Sequence, residues 1–268
     1  MFLVYFITLL AFILSIITLT RIEVYKRKGY VIMSWDVEYL SIDATIEDGL
    51  SSDQNYQIFD GYIKTLAYTI NSNNPDVLFL QKVKNRKNLS VLTKKIKELY
   101  KEDYYIHGDD DGYGDYGVFI ISKIKLSNVY RIGDIGIHCR FFLDKKTYHI
   151  YGVDLHKTLG TYESLYEHNI EVLSDFYRVY RDSLQYGTQS TCIIGNYNTF
   201  YGSKALRTIP DMGFVNLNYS QKGRRYVDRR YTNWDDINND NIKDDIELSE
   251  IDHAYVNNSM FLDVVQYI

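Results

Sequence analysis

Residues 190–198 read STCIIGNYN, a short, largely apolar run that stops on Asn196 and Asn198. An apolar run of this length, bounded by polar or turn residues, is the pattern of a strand buried inside a sheet. Working outward, four more stretches have this form. VIMSW (31–35) meets Asp36 and Glu38, whose acidic side chains are expected to end the strand. DVLFLQKV (76–83) carries Gln81 and Lys82 near its end, YHIYGVDL (148–155) leads through Asp154 to His156, and EIDHAYV (250–256) sets Asp252 ahead of an apolar run. GVFIIS (117–122), HCRFFL (138–143) and FLDVVQY (261–267) read as further strands, with DKKT as the turn from HCRFFL to the strand that follows it.

Helical periodicity fills the gaps. Ile58, Tyr62, Ile63, Leu66, Ala67 and Ile70 recur at helical spacing over Tyr56–Ile70, and NSNNP stops that helix ahead of Pro75. Val91–Tyr100 is a basic amphipathic helix. Thr161–Leu184 is a long one, with Leu165, Leu173, Phe176, Tyr177, Tyr180 and Leu184 on its inner side. Alternating strands and helices imply α/β layers, and the strands crowded between 117 and 155 suit mixed sheets. The expected fold is an α/β four-layered sandwich, two mixed sheets face to face with helices outside. Polar groups at successive strand ends then converge on one sheet edge, where such folds carry their sites.

The chain has 268 residues and 46% hydrophobic content, enough for one large domain with a substantial core. Its net charge of −5 argues against a protein that grips nucleic acid through general positive charge, though a metal in a cleft supplies such charge locally. Two cysteines, Cys139 and Cys192, are too few for a disulfide framework and leave the compartment open.

Residues 2–19, within MFLVYFITLLAFILSIITLT, contain no charge and are long enough for a bilayer-spanning helix. We read 1–20 as a transmembrane segment or signal anchor, 21–29 as a basic juxtamembrane linker and 30–268 as the folded domain. No basic residue precedes the run and no small-residue cleavage site follows it, which favours a retained single-pass anchor over a cleaved signal. Cleavage would make the protein secreted. Arg21, Lys26, Arg27 and Lys28 follow the run, so the positive-inside rule puts the domain on the cytoplasmic side.

In order and spacing, these segments resemble the endonuclease/exonuclease/phosphatase (DNase I-like) superfamily. VIMSWDVEYL resembles a family strand ending Trp-Asn, with Asp36 in the Asn place and Glu38 where some members carry a second acidic residue. PDVLFLQKV resembles the Pro-Asp…Gln-Glu-Val segment, with Lys82 in the place of the metal-binding Glu. GYGDYGVFIISK resembles the Gly-rich stretch before a strand ending Ser-Lys, and GVDLH matches the strand that ends in the catalytic His, at His156. GNYN keeps Asn198 but has Asn196 where the family has Asp, and EIDHAYV places Asp252 where an Asp orients the His. The family's closing Ser-Asp-His has no counterpart before Ile268, so a domain lacking its C-terminal strand is expected.

The resemblance implies hydrolysis of phosphoric esters by in-line attack of water, with Mg²⁺ neutralising the developing charge and His and Asn donors holding the phosphoryl oxygens. His156, Asn198 and Asp252 would be the catalytic group and Asp36 and Glu38 weak metal ligands. Lys82 and Asn196 are the degenerate positions. At about 4 Å and an effective dielectric near ~20, one unit charge is worth about 4 kcal/mol, so an ammonium opposes a divalent cation where a carboxylate would hold it. Two readings follow. In one the chain is a membrane-anchored pseudoenzyme or binding module without a cofactor. Its partners are the membrane, through residues 2–19, and a phosphate-bearing ligand, either nucleic acid or phospholipid. In the other it is a divergent Mg²⁺-dependent nuclease or phospholipid (sphingomyelin) phosphodiesterase that recruits other carboxylates.

Asp236, Asn238, Asp240, Asp244 and Glu247 stand at positions 1, 3, 5, 9 and 12 of a Ca²⁺-loop pattern. Asn241 replaces the usual Gly and Lys243 an apolar residue, so an acidic, solvated loop is the plainer reading of this stretch.

Overall fold

The structure, a computed structural model, describes residues 30–41, 51–108, 117–143, 145–155, 165–187, 189–199, 203–217, 233–234, 248–249 and 252–261. Segments 1–20 and 21–29 lie outside the described residues. Among the described residues no helix is long and apolar enough to cross a membrane.

The first sheet grows from a β-α-β unit. β1 (Ile32–Leu40) leads to helix α1 (Ser52–Asn73) and then to β2 (Val77–Val83), parallel to β1. A capping box between Ser51 and Gln54 starts α1, and Asn74, left-handed at φ 47°, closes it just before Pro75. Helix α2 (Arg86–Tyr100) follows, capped by Asn85. β3 (Tyr105–His107) and β4 (Gly117–Ser122) complete a mixed sheet of order β1-β2-β4-β3.

The second sheet opens with an antiparallel meander of β5 (Ser127–Ile132), β6 (Gly136–Leu143) and β7 (Lys146–Asp154). Helix α3 (Leu165–Leu184) connects β7 to the parallel strand β8 (Ser190–Asn196). The short helix α4 (Lys204–Thr208) and a 3₁₀ turn, Ile209–Met212, precede β9 (Phe214–Asn216). β10 (Asn233–Trp234) and β11 (Leu248–Ser249) pair with each other. β12 (Asp252–Asn257) fits antiparallel between β8 and β9, giving the order β5-β6-β7-β8-β12-β9, and the one-turn helix α5 (Asn258–Phe261) follows it.

Strand alternation builds three apolar layers. On β2, Leu78 and Leu80 pack with Ile63, Leu66 and Ile70 of α1 and Leu92 and Ile96 of α2. Val77 and Phe79 face the other way and meet Ile137, Cys139, Ile150, Cys192, Ala254 and Val256 of the second sheet. The far side of that sheet, with Tyr151, Val153, Ile193 and Tyr255, is covered by Val172, Phe176 and Val179 of α3. Helices, sheet, sheet and helices therefore stack in four layers, as expected. Contact between the sheets is close: a Cβ at Gly152 would lie 2.0 Å from Phe79 Cδ1. In the same row Cys139 pairs with Ile150, and Ile150 with Cys192, so one strand separates the two buried, free thiols. Burial pushes both thiols up, Cys192 to about 12.

Some elements differ from the sequence expectation. β1 does not stop at the acidic residues but runs on to Leu40, because backbone pairing with β2 holds it beyond Asp36. On α3, Tyr177 and Leu184 are exposed, while Val172 and Val179 take the inner face. Asn258–Phe261 is helical where a strand was expected to begin, and residues 262–268 lie outside the described residues.

A buried polar cluster sits on the α3 side of the second sheet. His138 Nδ1 lies 3.1 Å from Asn128 O, His138 Nε2 lies 3.1 Å from His149 Nδ1, and His149 Nε2 lies 2.6 Å from the Gln189 amide oxygen. Three hydrogen bonds in that arrangement need three ring protons, and two neutral imidazoles carry two. Turning the Gln189 amide so that its nitrogen donates completes the chain with both rings neutral. Asp182 accepts from the Tyr130 and Tyr151 hydroxyls at 2.7 and 2.8 Å, and Tyr186 stacks on His149. Burial, with His149 alongside, pushes His138 down to about 4. A depressed histidine binds its proton more readily in the unfolded chain, so its contribution is complete above pH 6.5 and is lost as pH falls from 6.5 toward 4. That loss should be on the order of 3 kcal/mol. Urea unfolding across this window should show a shallower pH dependence in His138→Phe than in wild type, and equal slopes would rule the pair out as its origin.

Candidate functional site

The rows that face the gap between the sheets become polar at one end of the sandwich. On β1 the row Ile32, Ser34, Asp36 begins in the inter-sheet core and ends on a carboxylate. On β2 it is Val77, Phe79, Gln81, and on β7 it is Tyr148, Ile150, Gly152, Asp154. On β8 it is Cys192, Ile194, Asn196, and on β12, running the other way, Asp252 precedes Ala254 and Val256. Register brings these ends together: Asp36 pairs with Gln81, and Asn196 pairs with both Asp154 and Asp252. The expected convergence of strand ends is therefore a property of the fold.

Side-chain contacts link the two sheets at this edge. Lys82 Nζ forms an ion pair with Asp36 Oδ2, their side chains 24% and 18% exposed. The same carboxylate oxygen accepts from Asn196 Nδ2 at 3.3 Å, although Asp36 and Asn196 belong to different sheets. Asn196 Oδ1 in turn accepts the backbone N–H of Asn198 at 2.7 Å, closing a turn in which Asn198 is left-handed at φ 50°. Asn198 Nδ2 donates to Leu155 O at 2.5 Å, and Leu155 N–H donates to Asn196 O at 2.9 Å. The exits of β7 and β8 are thus tied together immediately before residue 156.

Gln81 was not among the expected site residues. Fully buried, it sends Nε2 toward Ser34 Oγ at 2.5 Å and to Val153 O of the second sheet at 3.3 Å, while its Oε1 finds no hydrogen-bond partner among the described residues. Gly195, at φ +143°, makes room for this strut, since a Cβ there would lie 2.1 Å from Val153 O and 2.9 Å from Gln81 Nε2. A glutamine inside an apolar strand was the signal available in the sequence.

His156, the side chain of Glu38, and Asp236, Asn238, Asp240, Asp244 and Glu247 of the Ca²⁺-loop pattern lie outside the described residues. A divalent ion of the Mg²⁺ type has to collect oxygen ligands. Here Asp36 Oδ2 meets an ammonium and an amide N–H, and among the described residues no three His, Cys, Asp or Glu side chains gather to hold an ion. The described residues do not fit a magnesium centre.

Exposed ion pairs contribute roughly 0.2–1 kcal/mol, whereas a half-buried pair that shares an amide partner should couple more strongly. A double-mutant cycle of Asp36→Ala and Lys82→Ala, read by urea unfolding, should give a coupling energy of about 1–3 kcal/mol. A value near zero would mean that the two side chains are independent.

No protein-family model matches the sequence, and no curated protein matches it. Solved structures do match. An endonuclease/exonuclease/phosphatase family protein from Leptotrichia buccalis C-1013-b is 17% identical, with 86% of this chain and 89% of that one covered at a TM-score of 0.57. A β-hairpin deletion mutant of beta toxin from Staphylococcus aureus is 11% identical over 87% and 88% of the two chains, at a TM-score of 0.56. Humanized D. rerio TDP2 is 14% identical over 84% and 82%, at a TM-score of 0.52. The chain has the DNase I-like fold of the endonuclease/exonuclease/phosphatase superfamily.

Proposed function

We propose that this protein is a membrane-tethered, catalytically degenerate member of the superfamily whose strand-end cleft binds a phosphate ester, carried by a nucleic acid or a phospholipid. The observation that carries the proposal is the state of Asp36. In the reading from resemblance this carboxylate would hold a metal, and here it is neutralised by Lys82 and bonded by Asn196. Asn198 is likewise engaged, its amide donating to the Leu155 carbonyl.

What remains at the edge suits binding better than turnover. Lys82, Asn196 and Asn198 are donors of the kind that hold phosphoryl oxygens. Asp252 lies beside Asn196 in register, and the resemblance gives it the role of orienting His156. The tether in this reading is the apolar run 2–19, and the cations that follow it support a domain on the cytoplasmic side.

The full-length chain in detergent micelles, offered DNA, RNA, sphingomyelin and phosphoinositides with Mg²⁺ or Mn²⁺, should bind one of these classes without hydrolysing it. Nucleic-acid and lipid arms separate the two sources of phosphate. Metal-dependent turnover that disappears in His156→Ala would instead establish a divergent phosphoric ester hydrolase.

A further inference from the structure

Lys82 reaches the site through a break in strand geometry. Up to Leu80, β2 alternates strictly, odd residues toward the second sheet and even residues toward the helices. Gln81 continues the inner row by reaching Val153. Residue 82 is therefore due on the helix side, beneath α1 and α2. Val83 fills that layer instead, and Lys82 pairs with Asp36 at the sheet edge.

The backbone shows how. On β2 the register slips between Leu80 and Val83 against β4, three residues advancing against two, and on the facing strand β1 it slips between Asp36 and Leu40 against β2. Lys82 itself is left-handed at φ 56°, a conformation that L residues disfavour. This is a bulge: one extra residue turns a side chain out of the alternation. Without it the lysine would enter an apolar layer, where an ammonium is strongly disfavoured. With it, a positive charge is fixed beside Asp36, at the meeting point of the two sheets.

We propose that Lys82 is the resident cation of this site: its ammonium takes the place of a divalent metal beside Asp36 and holds a phosphate-bearing ligand there without one. The inference rests on the phosphate-site reading above and deepens it. Asp36 and Lys82 together carry no net charge, so a divalent ion gains little there, while a phosphate oxygen meets an ammonium held in place by the bulge. Replacing the lysine by glutamate changes the local charge by two units and sets two carboxylates side by side, a donor set suited to a divalent ion.

The test uses the full-length chain in detergent, with Mn²⁺ alone and inorganic phosphate alone as probes. Followed by the electron paramagnetic resonance of free Mn²⁺, wild type should show no saturable site and Lys82→Glu should gain one that a further Asp36→Asn removes. Saturable Mn²⁺ binding by wild type, lost in Asp36→Asn, would overturn the proposal. Phosphate should bind wild type equally with EDTA and with Mg²⁺, about tenfold more weakly in Lys82→Gln, and within about threefold of wild type in Lys82→Arg. Binding that requires Mg²⁺, or that is unchanged in Lys82→Gln, contradicts it. If phosphate fails to bind wild type under either condition, the phosphate-site reading itself falls, and the Mn²⁺ titration still decides between lysine and metal. Circular dichroism of each variant separates unfolding from lost binding, and the two wild-type titrations need no variant.

Discussion

Phe79 occupies the space that a side chain on residue 152 would need, and this contact sets how closely the two sheets approach. Close approach is what makes a site available at the sandwich end. Inside, the gap is filled by apolar side chains. At the edge the same rows continue as Asp36, Gln81, Asp154, Asn196 and Asp252, held at a spacing the core has already fixed. Gln81 then crosses from one sheet to a carbonyl of the other, and Asn196 crosses back to Asp36. Rigid packing and polar convergence are two ends of one feature.

Much of this was legible in the sequence because strand burial and helix periodicity leave local signatures. The end of α1 at Asn74 and the span of β4 followed from short-range patterns alone. β5 did not: SNVYRI is an edge strand with Ser127 and Asn128 exposed, so it carries no apolar run to read. On α3 the expected stripe was right at Leu173, Phe176 and Tyr180 but wrong at Tyr177 and Leu184, which are exposed, and it left out the smaller Val172 and Val179, which meet the sheet beside Phe176. Among the site residues, Asp36, Asn196 and Asp252 were visible as strand ends, whereas the use of Gln81 as a strut depends on a second sheet that no local window contains. The bulge at Lys82 was equally hidden, since alternation breaks there only through pairing with β1 and β4.

The molecule also handles buried polarity in two contrasting ways. Around His138 and His149 the groups are kept neutral and satisfied by one another, and burial favours the uncharged ring. At the strand ends charge is kept and matched, ammonium against carboxylate, with an amide completing the set. The first arrangement makes the fold sensitive to acid. The second sets an ammonium and an amide N–H against the carboxylate of Asp36.

The row Cys139–Ile150–Cys192 bears on where such a fold can persist. Two strand spacings put the cysteine backbones roughly 9–10 Å apart, beyond the span a disulfide can bridge without moving the sheet. Both thiols are also fully enclosed and held protonated. Strand spacing therefore keeps this pair from closing into a disulfide, and burial shields each thiol from reagents in solution, so the packing of the second sheet does not depend on the redox state around it.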